Sequence, residues 1–149
     1  MKPDKNIAEL ARELAFEMAD LRFKLRRVLQ VKIKENNWEI SFEVLEILGV
    51  LYRKDGMNQQ EIADELVKDK SSITYLIDNA EKKELVERTE DQNDRRNKLI
   101  FLTEKGRSLI LKLNPWAVDI YEKATQHLAY EEVHQALTVA RKMNENLKK

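Results

Sequence analysis

Apolar residues recur with a helical period at both ends of the chain, whereas the elements predicted between them are short. From residue 7 to about residue 34 there is no Gly or Pro, and the gaps between apolar residues alternate between four and three. The residues of this seam are Ile7, Ala11, Leu14, Met18, Leu21, Leu25 and Val28. The spacing predicts a helix that packs lengthwise along another helix. Further apolar residues lie off the seam. The pattern therefore fits either an ordinary core helix or a helix that packs between two partners.

The next predicted helix begins after Ser41, a residue type that caps helix N-termini. It ends near Gly56, because glycine readily adopts the positive φ that a helix exit often requires. Apolar residues lie on all sides of this helix: Phe42, Val44, Leu45, Ile47, Leu48 and Leu51. Such a distribution is typical of the central helix of a small domain.

Two short helices follow. Asn58 and Glu61 have the spacing of a capping box at the start of the first helix. Asp69 is in position to cap the second helix, predicted over about residues 70–84. The second helix has one apolar side, formed by Ile73, Leu76, Ile77 and Ala80. Two short helices joined by about three or four residues are the geometry of a helix-turn-helix.

The face opposite that apolar side is polar, with Ser71, Tyr75, Asp78 and Lys82 flanked by Thr74 and Asn79. Small hydroxyl residues near a helix N-terminus allow a phosphate to come close to free backbone N–H groups. The face therefore fits DNA reading, with Thr74, Tyr75 and Asn79 as candidates for contact with bases. The alternative is an ordinary solvated helix face.

Residues 85–89 and 97–102 are rich in β-prone residues, and the seven residues between them are all polar. This pattern predicts a β-hairpin. Arg95 and Arg96 would lie at its tip, where they can reach a DNA minor groove. Asp94 could hold one guanidinium in a bidentate pair. The alternative is a solvated turn with local ion pairs.

The C-terminal part is predicted to be helical. Thr103 caps a helix that begins at Glu104, and Pro115 predicts a kink or break about one turn before it. A last helix opens at Tyr130, with its seam at Val133, Ala136, Ala140, Met143 and Leu147. One small central domain has too little surface to cover long seams at both ends. We therefore interpret the terminal helices as a bundle between two subunits.

Composition narrows the classes of function. The 149 residues include 3 Gly and 2 Pro, which favours a mainly α protein with a small β-hairpin. The absence of Cys excludes disulfides and thiolate zinc sites. His127 and His134 are two helical turns apart and are interpreted as ordinary helix residues, so neither a metal nor a cofactor is expected. The 27 basic and 27 acidic residues give no net charge, so any positive surface must come from charge placement.

With no apolar run of membrane-spanning length and no signal peptide pattern, we expect a cytoplasmic protein without membrane contact. An enzyme is disfavoured, because there is no glycine-rich phosphate loop and no Ser/His/carboxylate grouping at a recognisable spacing.

Two segments together resemble the MarR family of bacterial winged helix-turn-helix transcriptional regulators. They are residues 58–88, which hold the helix-turn-helix, and residues 91–106, which hold the Asp-Arg-Arg triplet and the Leu-Thr-x-x-Gly ending of the wing. The resemblance covers nearly the whole chain. It implies a dimerisation helix over 1–34, a DNA-binding domain over 35–106 with its wing at about 85–103, and dimerisation helices over 107–149.

The resemblance further implies a homodimer that binds a pseudo-palindromic operator, with each recognition helix in a major groove and each wing in an adjacent minor groove. Such regulators usually repress their own or neighbouring genes and are often released by a small aromatic ligand. The expected DNA-binding residues are Lys70, Ser71, Ser72, Thr74, Tyr75, Asn79, Asp94, Arg95 and Arg96. The expected dimerisation residues are Ile7, Ala11, Leu14, Met18, Val133, Ala140 and Leu147. Trp38, Phe42 and Trp116 flank the expected ligand pocket, although core packing is the alternative role for all three.

The sequence departs from the family pattern at four positions. Arg is common where this chain has Tyr75 and Asn79, Gly is common at the position of Glu84, and Pro is common at that of Gln92. A less cationic recognition helix predicts a shallower dependence of binding on salt. It also permits the alternative of a winged-helix module that binds a protein partner and no DNA.

Overall fold

The computed structural model describes residues 4–148, and most of them are helical. The elements are α1 (Ile7–Glu35), α2 (Phe42–Arg53), β1 (Met57–Asn58), α3 (Gln59–Leu66), α4 (Lys70–Lys82), β2 (Val86–Glu90), β3 (Lys98–Leu102), α5 (Glu104–Ala124) and α6 (Tyr130–Asn146). The predicted fold class, mainly α with a β-hairpin wing, is confirmed. Among the described helices, none combines the length and apolar character needed to span a membrane.

Side-chain caps set where several helices begin. The Ser41 side chain accepts the backbone N–H of Val44 at the start of α2, as predicted. At the start of α3, Asn58 Oδ1 accepts the backbone N–H of Glu61 at 2.8 Å. The return bond of the predicted capping box is not formed among residues 4–148, and Asn58 instead pairs with Leu99 as part of β1.

The sheet has three antiparallel strands in the order β1-β3-β2. The predicted hairpin is formed by β2 and β3, with Arg88 opposite Ile100. Strand β1 was not predicted, because two residues are too few to show an alternating pattern. It pairs with β3 through Met57 opposite Ile100, so the hairpin is attached to the segment that leads into α3.

The core lies between α2, α3, α4 and the sheet. Helix α2 is buried on several sides, as its apolar pattern predicted. The largest fully buried side chains are Ile47, Leu48, Leu51, Ile62, Ile73, Ile77, Ile100, Val44 and Val86. Burial of a side chain of this size contributes roughly 1.5–3 kcal/mol, so this cluster fixes the positions of the helix-turn-helix and the wing.

Two residues of the helix-turn-helix have left-handed backbones. Val67, at the end of α3, has φ 53°, and Glu84, after α4, has φ 60°. Helix α4 therefore ends at Lys82, two residues before the predicted end, since a left-handed residue cannot continue a right-handed helix. The structure thus explains why glycine would suit the position of Glu84.

Of the kink or break predicted about one turn before Pro115, the break is not present. Helix α5 is continuous from Glu104 to Ala124 with Pro115 inside it. Proline removes one backbone N–H donor from a helix. The loss of this one donor does not end α5, which continues on both sides of Pro115.

The chain divides into two compact units, Met1–Ala117 and Val118–Lys149. The second unit contains the end of α5 and helix α6, which begins with Glu132 bonded to the backbone N–H of Ala129. His127 lies in the turn between the two helices with φ 67°, which corrects its interpretation as a helix residue. Its left-handed backbone forms the turn that ends α5.

Candidate nucleic-acid interface

Helix α4 is held by its buried side and by its N-cap. Ile73, Ile77 and Ala80 are fully buried, so the opposite face must point away from the core. Asp69 Oδ1 accepts the backbone N–H of Ser72 at 2.6 Å and the Ser71 hydroxyl at 3.0 Å. These bonds lower the pKa of Asp69, chiefly through the Ser72 backbone amide. The predicted cap at Asp69 is confirmed.

The outward face of α4 presents Tyr75 most prominently, with 71% of this residue exposed. Ser71 and Ser72 are also exposed, whereas Asn79 is half-buried. Thr74 is partly withdrawn from the surface. Its hydroxyl donates to the Lys70 carbonyl oxygen at 2.9 Å and accepts from Gln59 Nε2 at 3.2 Å.

The Thr74 hydroxyl therefore has its single donor occupied inside the domain, and a hydroxyl has only one. Direct base reading by donation would fall to Tyr75 and Ser72 rather than to Thr74, and the Ser71 hydroxyl likewise already donates to Asp69.

The wing tip is a turn closed by two aspartates. Asp91 Oδ1 accepts the Asn93 backbone N–H and Asp94 Oδ1 accepts the Arg96 backbone N–H, each at 3.0 Å. The predicted pair between Asp94 and an arginine guanidinium is not formed, and Asp94 Oδ1 accepts the Arg96 backbone N–H instead. Within the described part of the chain, neither the Arg95 nor the Arg96 guanidinium lies in an ion pair. Both side chains are exposed and free to meet a phosphate or a groove.

Arg88 joins the wing to α4, and the sequence analysis did not single it out. Its guanidinium, on β2, pairs with the carboxylate of Asp78 and, at 3.1 Å, with that of Glu81. Only 20% of the Arg88 side chain is exposed. Arg88 is ten positions from Asp78 and seven from Glu81 across a loop, so no helical or strand periodicity marks the contact.

The Leu-Thr-x-x-Gly ending of the wing forms a junction between α4, β2 and α5. The Thr103 hydroxyl donates to the Glu84 carbonyl oxygen at 2.6 Å and accepts the Gly106 backbone N–H at 3.1 Å. The Leu85 carbonyl oxygen accepts the Thr103 backbone N–H at 3.1 Å. The predicted cap at Thr103 is thereby confirmed, and the same hydroxyl fixes the exit of α4.

The three aromatic ligand candidates have different surroundings. The Trp38 and Trp116 rings lie 4.7 Å apart between centroids, and the Arg26 guanidinium covers the Phe42 ring at 4.8 Å. Trp38 lines a cavity with a volume of about 270 Å³. The other lining residues are Glu39, Ile40, Lys83, Leu85, Lys105 and Leu109.

Much of the predicted dimerisation seam is exposed in the single chain. The exposed fractions are 87% for Ile7, 36% for Leu14, 40% for Met18, 41% for Val133 and 81% for Leu147. Ala11 and Ala140 are half-buried. Exposed apolar residues in such number on α1 and α6 are typical of an interaction surface.

No grouping of three or more His, Cys, Asp or Glu residues able to hold a metal ion occurs among residues 4–148.

Comparison with known proteins gives a consistent result. The model of the MarR family matches residues 41–98, which contain the helix-turn-helix and most of the wing. The transcriptional regulator MhqR of Bacillus subtilis is 32% identical to the chain over 102 residues, which are 68% of this chain and 70% of MhqR.

Solved structures match over a longer span. A MarR-family regulator from Silicibacter pomeroyi superposes with a TM-score of 0.81 over 97% of both chains, at 21% identity. A mutant MarR from E. coli in complex with operator DNA superposes with a TM-score of 0.75, at 20% identity, over 93% of this chain and 99% of that one. At these identities, the two superpositions establish the fold.

Proposed function

The chain belongs to the MarR family of helix-turn-helix transcriptional regulators, and on that premise we propose that it is a homodimeric repressor of its own or neighbouring genes. It binds a pseudo-palindromic operator in the cytoplasm and is released by a small ligand. Members of this family are DNA-binding regulators and not enzymes. The observation that carries the proposal is the placement of a polar recognition helix and two wing arginines, Arg95 and Arg96, unpaired among the described residues, in one compact unit.

The two DNA-facing elements supply different contacts. On α4, Lys70, Ser71 and Ser72 lie at the helix start, where the helix dipole and the N–H groups that Asp69 does not engage favour a phosphate. Tyr75 lies one turn further along, in position to meet base edges in the major groove. The unpaired Arg95 and Arg96 extend from the wing into an adjacent minor groove, where narrow A·T-rich DNA attracts guanidinium groups. Asn79 and Asp94 complete the proposed set, Asp94 by shaping the wing turn.

Selection from random duplex DNA tests the DNA-binding proposal against a protein-interaction module. We expect recovery of a palindromic site with half-sites about one helical turn apart, as a two-fold dimer requires. Recovery of no preferred duplex, at salt concentrations from about 50 to 200 mM, would support the interaction module instead. A reporter fused to the promoter of the protein's own gene then distinguishes repression from activation.

The wing assignment is tested by replacing both arginines with alanine. We expect Arg95→Ala with Arg96→Ala to weaken binding to the selected duplex by about 1–3 kcal/mol per good contact. If both arginines neutralise phosphates, the slope of log K against log salt becomes shallower by about 0.9 for each. Arg53→Ala with Lys54→Ala is the matched control, because it removes the same charge at the end of α2. If the wing variant and the parent bound the duplex with equal affinity, the wing would not be part of the DNA interface.

The dimer is proposed to form through residues 1–34 and 107–149, with residues 35–106 as the DNA-binding domain. The outermost residues of these ranges, 1–3 and 149, lie outside the described part of the chain. The exposed seam of α1 and the exposed apolar residues of α6 support this assignment. We propose that a second copy of this chain covers these apolar surfaces, because a pseudo-palindromic operator also requires a two-fold dimer.

Sedimentation velocity tests the dimer. Leu14→Glu places a charge in the seam of α1, whereas Arg27→Glu places one on the opposite side of the same helix. We expect the first variant to shift the population towards monomer and the second to leave the dimer intact. Deletion of residues 1–34 is a harsher test, because it also removes Ile33 from the core.

For the ligand we propose the cavity beside Trp38 as the binding place. Its walls are the apolar side chains of Trp38, Ile40, Leu85 and Leu109, which suit a small aromatic molecule. Lys83, the C-cap of α4, donates from Nζ to the Glu39 carbonyl oxygen at 2.7 Å at the edge of this cavity. Trp116 packs against Trp38 with the ring centroids 4.7 Å apart, whereas the Phe42 ring is covered by the Arg26 guanidinium. Quenching of tryptophan fluorescence by a panel of phenols and aromatic acids, lost in Trp38→Phe, tests this site.

A further inference from the structure

The recognition helix has two acidic residues, Asp78 on its outward face and Glu81 at the flank of that face. Asp78 lies three residues after Tyr75, on the same face of α4, and Glu81 follows one turn later. The only other charged residues of α4 are Lys70 and Lys82, at its two ends. Helix α4 therefore has no formal net charge, and Asp78 places a negative charge on the middle of its outward face, one turn before Lys82. Such a surface repels the phosphate backbone.

The positive charge that offsets these carboxylates comes from the wing. Arg88 on β2 meets Asp78 with one terminal nitrogen and Glu81 with the other. A guanidinium can serve two carboxylates at once because its donors form a rigid fork, which a lysine ammonium lacks. Only 20% of the Arg88 side chain is exposed, whereas about half of each carboxylate partner is in contact with solvent.

The same geometry argues against direct contact between Arg88 and DNA. Both terminal nitrogens are engaged with carboxylates, and most of the side chain is covered. The wing arginines, Arg95 and Arg96, are by contrast exposed and not paired with a carboxylate of the described residues.

We propose that Arg88 is a positioning residue for operator binding: it neutralises Asp78 and Glu81 and fixes the wing to the recognition helix, so that this face can approach the phosphates. The inference rests on the proposed DNA-binding function. Its consequence is that wing and recognition helix meet DNA as one unit with a set spacing between major-groove and minor-groove contacts.

A mutant cycle on the duplex selected by the parent protein tests the role. We expect Arg88→Ala to weaken binding at least about tenfold, and Arg88→Lys to weaken it less, because charge is kept and the fork is lost. The paired change Asp78→Asn with Glu81→Gln is then made in both the parent and the Arg88→Ala protein. We expect it to improve binding at least about fivefold more in the Arg88→Ala protein than in the parent, since coupled residues are not additive.

Control measurements separate the possible outcomes. Arg53→Ala removes the same charge from an exposed arginine on α2 and is expected to change binding little. Thermal unfolding of every variant shows whether the fold is retained. The slope of log K against log salt should stay unchanged in the triple variant, whereas loss of a direct phosphate contact would lower it by about 0.9.

The positioning role would be overturned if Asp78→Asn with Glu81→Gln improved DNA binding equally in the parent and in the Arg88→Ala protein. It would also be overturned if Arg88→Ala bound DNA as tightly as the parent. Either result would leave the DNA-binding function intact. Failure of the parent to select any duplex would overturn both. Restored affinity with an unchanged salt slope in the folded triple variant would support the role.

Discussion

Gly106 lies directly against the backbone of Leu85, so that a Cβ added at Gly106 would be 2.1 Å from the Leu85 carbonyl oxygen. That oxygen also accepts the backbone N–H of Thr103, which holds it in place. The close approach joins the first turn of α5 to the start of the wing strand β2. The glycine of the wing ending is therefore required for lack of space, and not for backbone flexibility.

Gly106→Ala is expected to destabilise the protein by about 1–3 kcal/mol, because neither backbone can move without disturbing the junction. Gly49→Ala is the matched control. Gly49 lies inside α2 with no atom near the position of an added Cβ, so alanine there should stabilise the protein by about 0.5–1 kcal/mol. Chemical denaturation of the three proteins measures both effects. Destabilisation of similar size in both variants would contradict this explanation.

Glu84→Gly is expected to raise stability by about 0.5–1 kcal/mol. Glu84 has a left-handed backbone after α4. This conformation is unfavourable in free energy for a residue with a Cβ but not for glycine. The bond from the Thr103 hydroxyl goes to the Glu84 main chain, so the substitution retains it. Glu84→Ala keeps the Cβ and should bring no such gain. Thermal unfolding of both variants decides the question, and a gain with alanine alone would refute the backbone explanation.

The features that could be predicted from the sequence are those set by near neighbours. The caps at Ser41 and Asp69 each involve residues three positions apart, and the buried sides of the helices repeat with the helical period. The pairing of Arg88 with Asp78 joins residues ten apart across a turn, and its formation depends on how the hairpin folds back onto α4. Likewise, the engagement of Thr74 by Gln59 depends on the packing of α3 against α4, which periodicity does not specify.

Base reading should depend on Tyr75 more than on Thr74. Tyr75→Ala is expected to weaken binding to the selected duplex by about 1–3 kcal/mol and to reduce discrimination at one base pair of each half-site. Thr74→Val should leave that discrimination unchanged, because the Thr74 hydroxyl already bonds to Lys70 and Gln59. It should instead lower stability by about 1 kcal/mol. Binding to duplexes with single base-pair changes measures both variants, and a specificity change confined to Thr74→Val would reverse the assignment.

The cap at Asp69 should make the start of the recognition helix sensitive to acid. The backbone amide of Ser72, followed by the Ser72 and Ser71 side chains, holds the pKa of Asp69 below its ordinary value. A lowered pKa in the folded state means that the ionised cap stabilises the fold at pH values above the ordinary pKa of about 3.9. This contribution is lost as the pH falls through the lower, folded value. Asp69→Asn keeps a capping oxygen that does not titrate.

The difference in thermal midpoint between the parent and Asp69→Asn should therefore be constant from about pH 7 to pH 5. At lower pH the midpoint of the parent should fall relative to that of Asp69→Asn. Subtracting the two curves removes the contribution of the other carboxylates, which both proteins share. Asp69→Ala, which lacks any cap, should have a lower midpoint than the parent at neutral pH. A midpoint difference that stays constant down to pH values at which the parent unfolds would show that the Asp69 charge does not stabilise α4.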